Sequence, residues 1–115
     1  EYLVVGAISG YDTDDPQFEI PDTVTAGVPF TVTVNTYGGG CNRVGPTEVE
    51  TDSLGPVITP YDYAGVGTGD CPAYLQVMAH EVSLVFSTPG PATVRVRGVD
   101  IADEPVEFSR STWVR

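Results

Sequence analysis

Few residues in this chain have chemistry to offer beyond folding. One histidine, His80, two cysteines, Cys41 and Cys71, and sixteen carboxylates stand against five arginines and no lysine. Any Ser-His-Asp arrangement must use His80, yet no serine sits in a GxSxG elbow, and the alternation of "HEVSLVF" puts the ring mid-strand on an inward face. A Cys–His nucleophile pair is the rival use of the same ring. The ordinary reading is a satisfied, partly buried histidine. The triple glycine of "YGGGCN" lacks the Lys and Ser/Thr of a phosphate loop, and no lysine exists elsewhere to serve one. Carboxylate pairs such as Asp14–Asp15 and Asp103–Glu104 sit in loops without the cleft that glycoside hydrolysis needs. The chain is expected to be non-catalytic.

Binding chemistry has more material. "GYDTDDP" and "VDIADEP" place hard carboxylate oxygens at loop tips, the ligands calcium requires, and Asp12, Asp14 and Asp103 form the candidate calcium site. It is not an EF-hand, whose fifth and sixth positions would fall on Pro16 and Gln17. Solvated turn residues are the plain alternative. Tyr37, Tyr61, Tyr63, Tyr74 and Trp113 offer flat faces for sugar stacking, and "PYDY" puts two tyrosines on one side of a strand with Asp62 opposite. A formal charge of −11 makes nucleic acid and anionic membrane poor partners. No run of 18 apolar residues is present to span a bilayer. A chain opening on Glu1 rather than Met is expected of a mature or trimmed protein, any signal peptide having been removed or lying outside this sequence.

With two cysteines, no CxxC and a single histidine, a four-ligand zinc site is not available. Both cysteines lie in turn-rich loops, "GGGCN" and "GTGDCP", that can adjust to the geometry of a bridge. A Cys41–Cys71 disulfide is therefore expected. Closing a loop of about thirty residues stabilises by roughly 3 to 4 kcal/mol on the chain-entropy model, and it implies an oxidising, extracellular or cell-surface setting.

The elements that hold these groups are strands. The length of 115 residues suits one domain, 1–115, with a single core, and 18 valines and 13 threonines favour pleated, half-buried surfaces. Ten prolines and thirteen glycines leave only "CPAYLQVMAHEVSLVF" to compete for helix, and its alternating second half argues against that. "PFTVTV" turns Phe30, Val32 and Val34 one way. "TEVETD" sets Thr47, Val49 and Thr51 against Glu48, Glu50 and Asp52. "GPVITPYDY" is a short strand that Pro60 should confine to an edge or end. His80, Val82, Leu84 and Phe86 share a face, Val94 and Val96 point in with Arg95 and Arg97 out, and Val106 and Phe108 oppose Trp113. With "EYLVVGAIS" and "QFEIP", seven to nine short strands result, the pattern of an all-β, two-sheet sandwich.

The order "VTAGVPFTVTV", "HEVSLVF", "STPGPATVRVRGV" and a closing strand resembles the B, E, F and G strands of bacterial immunoglobulin-like domains of secreted and surface proteins, over residues 20–115. The resemblance implies an immunoglobulin-like sandwich acting as a structural or interaction module. Cys41 follows strand B and Cys71 precedes strand E, so a loop-stapling bridge is implied rather than the antibody inter-sheet pin.

The first strand is unusual in being apolar on both faces: Leu3, Val5 and Ala7 on one, Tyr2, Val4 and Ile8 on the other. Two arrangements satisfy it. Residues 1–10 form an edge strand of their own domain, with the outer face covered by a loop or "QFEIP", or they are donated to a neighbouring subunit through Leu3, Val4, Val5 and Ile8, building a surface fibre head to tail. Pairing residues 2–9 with 17–20 as a hairpin would gather both acidic loops and the glycine loop at one end.

Overall fold

Period-two alternation becomes strand throughout, and the turns fall where glycine and proline interrupt it. A computed structural model of the chain describes residues 2–9, 18–65, 71 and 75–115. Nine strands follow in order: β1 (Tyr2–Val5), β2 (Phe18–Glu19), β3 (Thr23–Val24), β4 (Phe30–Gly38), β5 (Arg43–Asp52), β6 (Gly55–Ala64), β7 (Gln76–Leu84), β8 (Gly90–Val99) and β9 (Pro105–Val114). No helix occurs among the described residues.

Two sheets form. One has six strands in the order β1-β6-β8-β9-β3, with β5 on the other side of β6; the second is β2-β4-β7. Most pairs are antiparallel, but β6 runs parallel to β8 through Val57 and Ile58, and β3 parallel to β9. The β5–β6 hairpin thus turns its second strand toward β8. The inward alternation predicted for β4 and β7 meets in register, Val32 opposite Val82 and Val34 opposite His80. Ile8, Phe18, Val32, Val34, Ile58, Val94 and Val96 make the core, lined by Phe30, Val82, Leu84, Phe86, Val106 and Phe108. Each such buried side chain contributes about 1.5–3 kcal/mol.

Two sequence expectations change, Pro60 as an edge and the hairpin of residues 2–9 with 17–20, and one outward residue is more buried than its direction suggests. Pro60 does not mark an edge: β6 is flanked on both sides, by β5 throughout and by β8 and then β1 along its other side. Proline is tolerated because it stands where that neighbour changes, and its carbonyl accepts the Gly6 N–H at 2.8 Å. On the β5 side the register slips between Val44 and Thr47, and the extra residue is absorbed at Gly45, where a Cβ would press on the Tyr61 carbonyl. Arg95 faces outward yet is only 8% exposed, because Asp52, the Gly55 carbonyl (3.1 Å) and Glu107 (3.7 Å) gather over it. Residues 2–9 and 17–20 do not form a hairpin, since β1 pairs with β6 and β2 with β4.

The N-terminal segment lies within its own chain. Leu3 pairs with Tyr63, Val4 with Asp62 and Val5 with Tyr61, all antiparallel. Past Gly6 the chain crosses to β8 and β4: Ile8 N–H reaches the Val99 carbonyl, and Ala7 bridges Tyr37 and Val99. Gly98 allows that crossing, since a Cβ there would strike the Gly6 carbonyl at 2.7 Å and Ile8 at 2.8 Å. Ile8 is fully buried, whereas Tyr2, Leu3 and Val5 are exposed and are not covered by the "QFEIP" strand, which belongs to the other sheet. Donation to a neighbour requires this segment to leave β6 and to withdraw Ile8 from the core.

Candidate functional site

The chemistry-bearing residues separate into a buried set and an exposed set. Alternation along β6 sends Asp62 inward and Tyr61 and Tyr63 outward. Across the sandwich, β7 turns His80 toward Asp62. His80 Nε2 lies 2.8 Å from Asp62 Oδ1 and 3.3 Å from Thr36 Oγ1, and its Nδ1 lies 2.8 Å from Thr47 Oγ1. Asp62 is 1% and His80 2% exposed. Four strands of two sheets, β4 and β7 of one and β5 and β6 of the other, are tied through one ring. The order hydroxyl, imidazole, carboxylate imitates a nucleophile triad, but no described feature offers an oxyanion cradle, and the ring and carboxylate are closed off from solvent. It ties the sheets together where β5 overhangs β7. The satisfied-histidine reading fits this geometry; its partners Asp62, Thr47 and Thr36 were not identified from sequence, because cross-sheet neighbours leave no periodic trace.

The exposed set lies on the outer face of β1, β6 and β5. Register places Leu3, Tyr63 and Arg43 in one cross-strand row and Val5 beside Tyr61 in the next. The Arg43 guanidinium sits 4.4 Å from the Tyr63 ring centre, a cation–π contact. Leu3, Pro46, Thr47, Glu48 and Tyr61 line a recess of about 350 Å³, within the range of small-ligand sites at about 300–1,000 Å³. Glu48 and Glu50 follow on the same outer face of β5. The protonated Glu48 carboxyl can donate a hydrogen bond to Glu50, which, with the Glu50 charge, raises Glu48 above the ordinary carboxylate range. This gives the face an apolar and aromatic floor with a carboxylate at its rim. A larger recess of about 540 Å³ lies by β2, but Arg110 already covers the Phe18 ring there at 5.3 Å.

The other aromatic candidates do not join this face. Tyr37 is buried, Trp113 is exposed on β9 beside β3, and Tyr74 falls outside the described residues. Asp12 and Asp14 also fall outside them. Asp103 lies in the β8–β9 turn with φ of 62°, the left-handed conformation that Asp tolerates. Asp100 Oδ1 accepts the Ala102 N–H at 2.8 Å and the Glu104 N–H at 3.0 Å, so its acidity serves the turn. The β8–β9 turn and the glycine loop do share one end: Gly38, Gly39, Asn42, Asp100 and Asp103 line a cavity of about 300 Å³ floored by Asp62. No group of three metal-ligating side chains forms among the described residues.

The Cys41–Cys71 disulfide is formed, with Cα atoms 5.2 Å apart across 30 residues. It staples the loop after β4 to the approach to β7, where Gln76 Nε2 donates to the carbonyls of Gly39 and Asn42. Among the described residues no helix is long and apolar enough to cross a membrane. Compared with known protein families, curated proteins and solved structures, the chain matches none.

Proposed function

We propose that the chain is a non-catalytic, extracellular interaction module of immunoglobulin-like build that meets its partner through the outer face of β1, β6 and β5. One observation carries this reading: Leu3, Val5, Tyr61, Tyr63 and Arg43 line up across three strands on an open face, where apolar and aromatic exposure marks contact surfaces. The only histidine is meanwhile engaged inside the sandwich. The disulfide supports an oxidising compartment.

A second reading has its own observation. The recess beside Tyr61, with Glu48 at its rim, suits a carbohydrate whose C–H face stacks on the ring and whose hydroxyls donate to the carboxylate. A glycan array read with and without calcium separates the two. Binding that is lost in Tyr61→Ala supports the carbohydrate reading, and calcium dependence would favour a cation held by Asp103 with Asp12 and Asp14. Absence of any glycan signal leaves the face to a protein partner. A surface fibre built by donating residues 1–10 is a rival assembly that would have to displace β1 from β6, and deletion of residues 1–10 tests it: polymer lost with a folded monomer retained supports donation, whereas an unfolded monomer refutes it.

A further inference from the structure

Among the described residues, every sheet edge is short or guarded except one. β2 and β3 span two residues each and β1 four, too few to template another chain. β5 is long, but it carries the Gly45–Pro46 bulge and three carboxylates, Glu48, Glu50 and Asp52, the devices that keep strand edges from pairing. β7 has none of these. Its nine residues pair with β4 without interruption from Gln76 to Leu84, with no proline, glycine or bulge and one carboxylate, Glu81. Its other side has no strand partner among the described residues; β5 overhangs its inward face through Thr47 and His80 but forms no ladder with it.

The face beside that edge is also unlike the rest of the surface. Leu75, Val77 and Val85 are 45%, 43% and 51% exposed, and they share one side of the strand with Ala79 and Ser83. On β4 the same face continues as Thr31 and Thr33. Sixteen carboxylates give the chain a charge of −11, so two copies repel wherever charge is dense. They repel least where only Glu81 intervenes, and contact cores are depleted of charge. This neutrality favours a second copy over a cationic partner, for which β5 would be the better match.

We propose that β7 is a strand-addition edge and that its occupant is β7 of a second copy, antiparallel across a two-fold axis. The two three-stranded sheets then become one, β2-β4-β7-β7-β4-β2. A register pairing Ala79 with the other copy's Glu81 also sets Val77 opposite Ser83 and Leu75 opposite Val85. No carboxylate faces another, and apolar residues close both ends. The contact is self-complementary and closes at two, so it yields a dimer and no fibre. Salt strengthens it, because screening reduces the repulsion of two acidic bodies while the contact itself holds no ion pair.

Sedimentation equilibrium of the full chain, from about 1 µM to 1 mM in low and high salt, tests this together with two substitutions at the exposed position 79. Ala79→Glu sets a carboxylate against Glu81 twice per dimer and is expected to weaken association at least about tenfold. Ala79→Lys sets an ammonium there and is expected to preserve or tighten it. Circular dichroism and melting temperature confirm that both variants fold. A monomer throughout the range, an open-ended series of oligomers, or a dimer indifferent to both substitutions overturns the proposal.

Discussion

Replacing His80 by alanine should cost more than any surface change in this protein. The ring is the partner of Asp62, which is 1% exposed and 2.8 Å away. Leaving a buried polar group without its partner costs about 1–3 kcal/mol, and the cavity left by the ring adds about 2 kcal/mol, about 3–5 kcal/mol in all. Thr47 is part-exposed and can turn to solvent, so its lost bond adds little. Against a domain stability of about 5–15 kcal/mol, His80→Ala approaches the threshold of folding. With a urea slope of about 1.5 kcal/mol/M, the midpoint falls by about 2–3 M. Far-ultraviolet circular dichroism in urea reads this directly. The double variant His80→Leu with Asp62→Leu should recover most of the loss, since replacing both partners of a buried hydrogen bond by well-packed apolar groups can be nearly neutral. A cost below about 1 kcal/mol for His80→Ala, or a double variant worse than the sum of the singles, refutes the reasoning.

Reducing the disulfide, or replacing Cys41 and Cys71 by serine, should lower stability by about 3–4 kcal/mol for a loop of this size; denaturation with and without reductant measures it, and mass spectrometry should find no free thiol in the native protein. The acid limb of the stability curve should contain two opposed contributions. Asp52 is lowered by the Leu54 N–H and by Arg95, so its contribution is present above the ordinary aspartate range and is lost as pH falls through its depressed value. Glu48 is raised by Glu50, so its contribution is present below the ordinary glutamate range and is lost as pH rises through the raised value. Asp52→Asn should therefore lower the melting temperature at pH 7 and not in strong acid, whereas Glu50→Gln should raise it at pH 7 and not in strong acid. Gly98→Ala should destabilise by about 1–3 kcal/mol by overpacking against Gly6 and Ile8, read as a fall in melting temperature.

Strands that bury one face were legible residue by residue: the alternations of Phe30–Val34, His80–Phe86 and Val94–Val96 all meet in the core. The bridge was legible because two cysteines allow one pairing. What period two cannot reveal is which strand lies beside which. Pro60 argued for an edge, yet the Gly6 and β8 neighbours share β6 between them and leave the missing N–H at their junction. Arg95 read as an outward residue, and only the β5–β6 turn folding over β8 explains its burial. The same gap hid the site. Tyr61 and Tyr63 could be paired from sequence, but Leu3, Arg43 and Glu48 join them only through register across β1, β6 and β5. Asp62 was placed opposite the tyrosines, while its contact with His80 depends on how the two sheets stack.

The central claim is that the outer face of β1, β6 and β5 recognises a partner while the histidine network only holds the sheets together. Binding on a glycan array, compared for the native chain, Tyr61→Ala and Trp113→Ala, tests it most directly, because both rings leave the core intact. Any glycan signal is expected to disappear with Tyr61 and to survive loss of Trp113, with no glycan cleaved, and a blank array leaves the same face to a protein partner. Binding that survives loss of Tyr61, or turnover of any glycan that depends on His80, would contradict it.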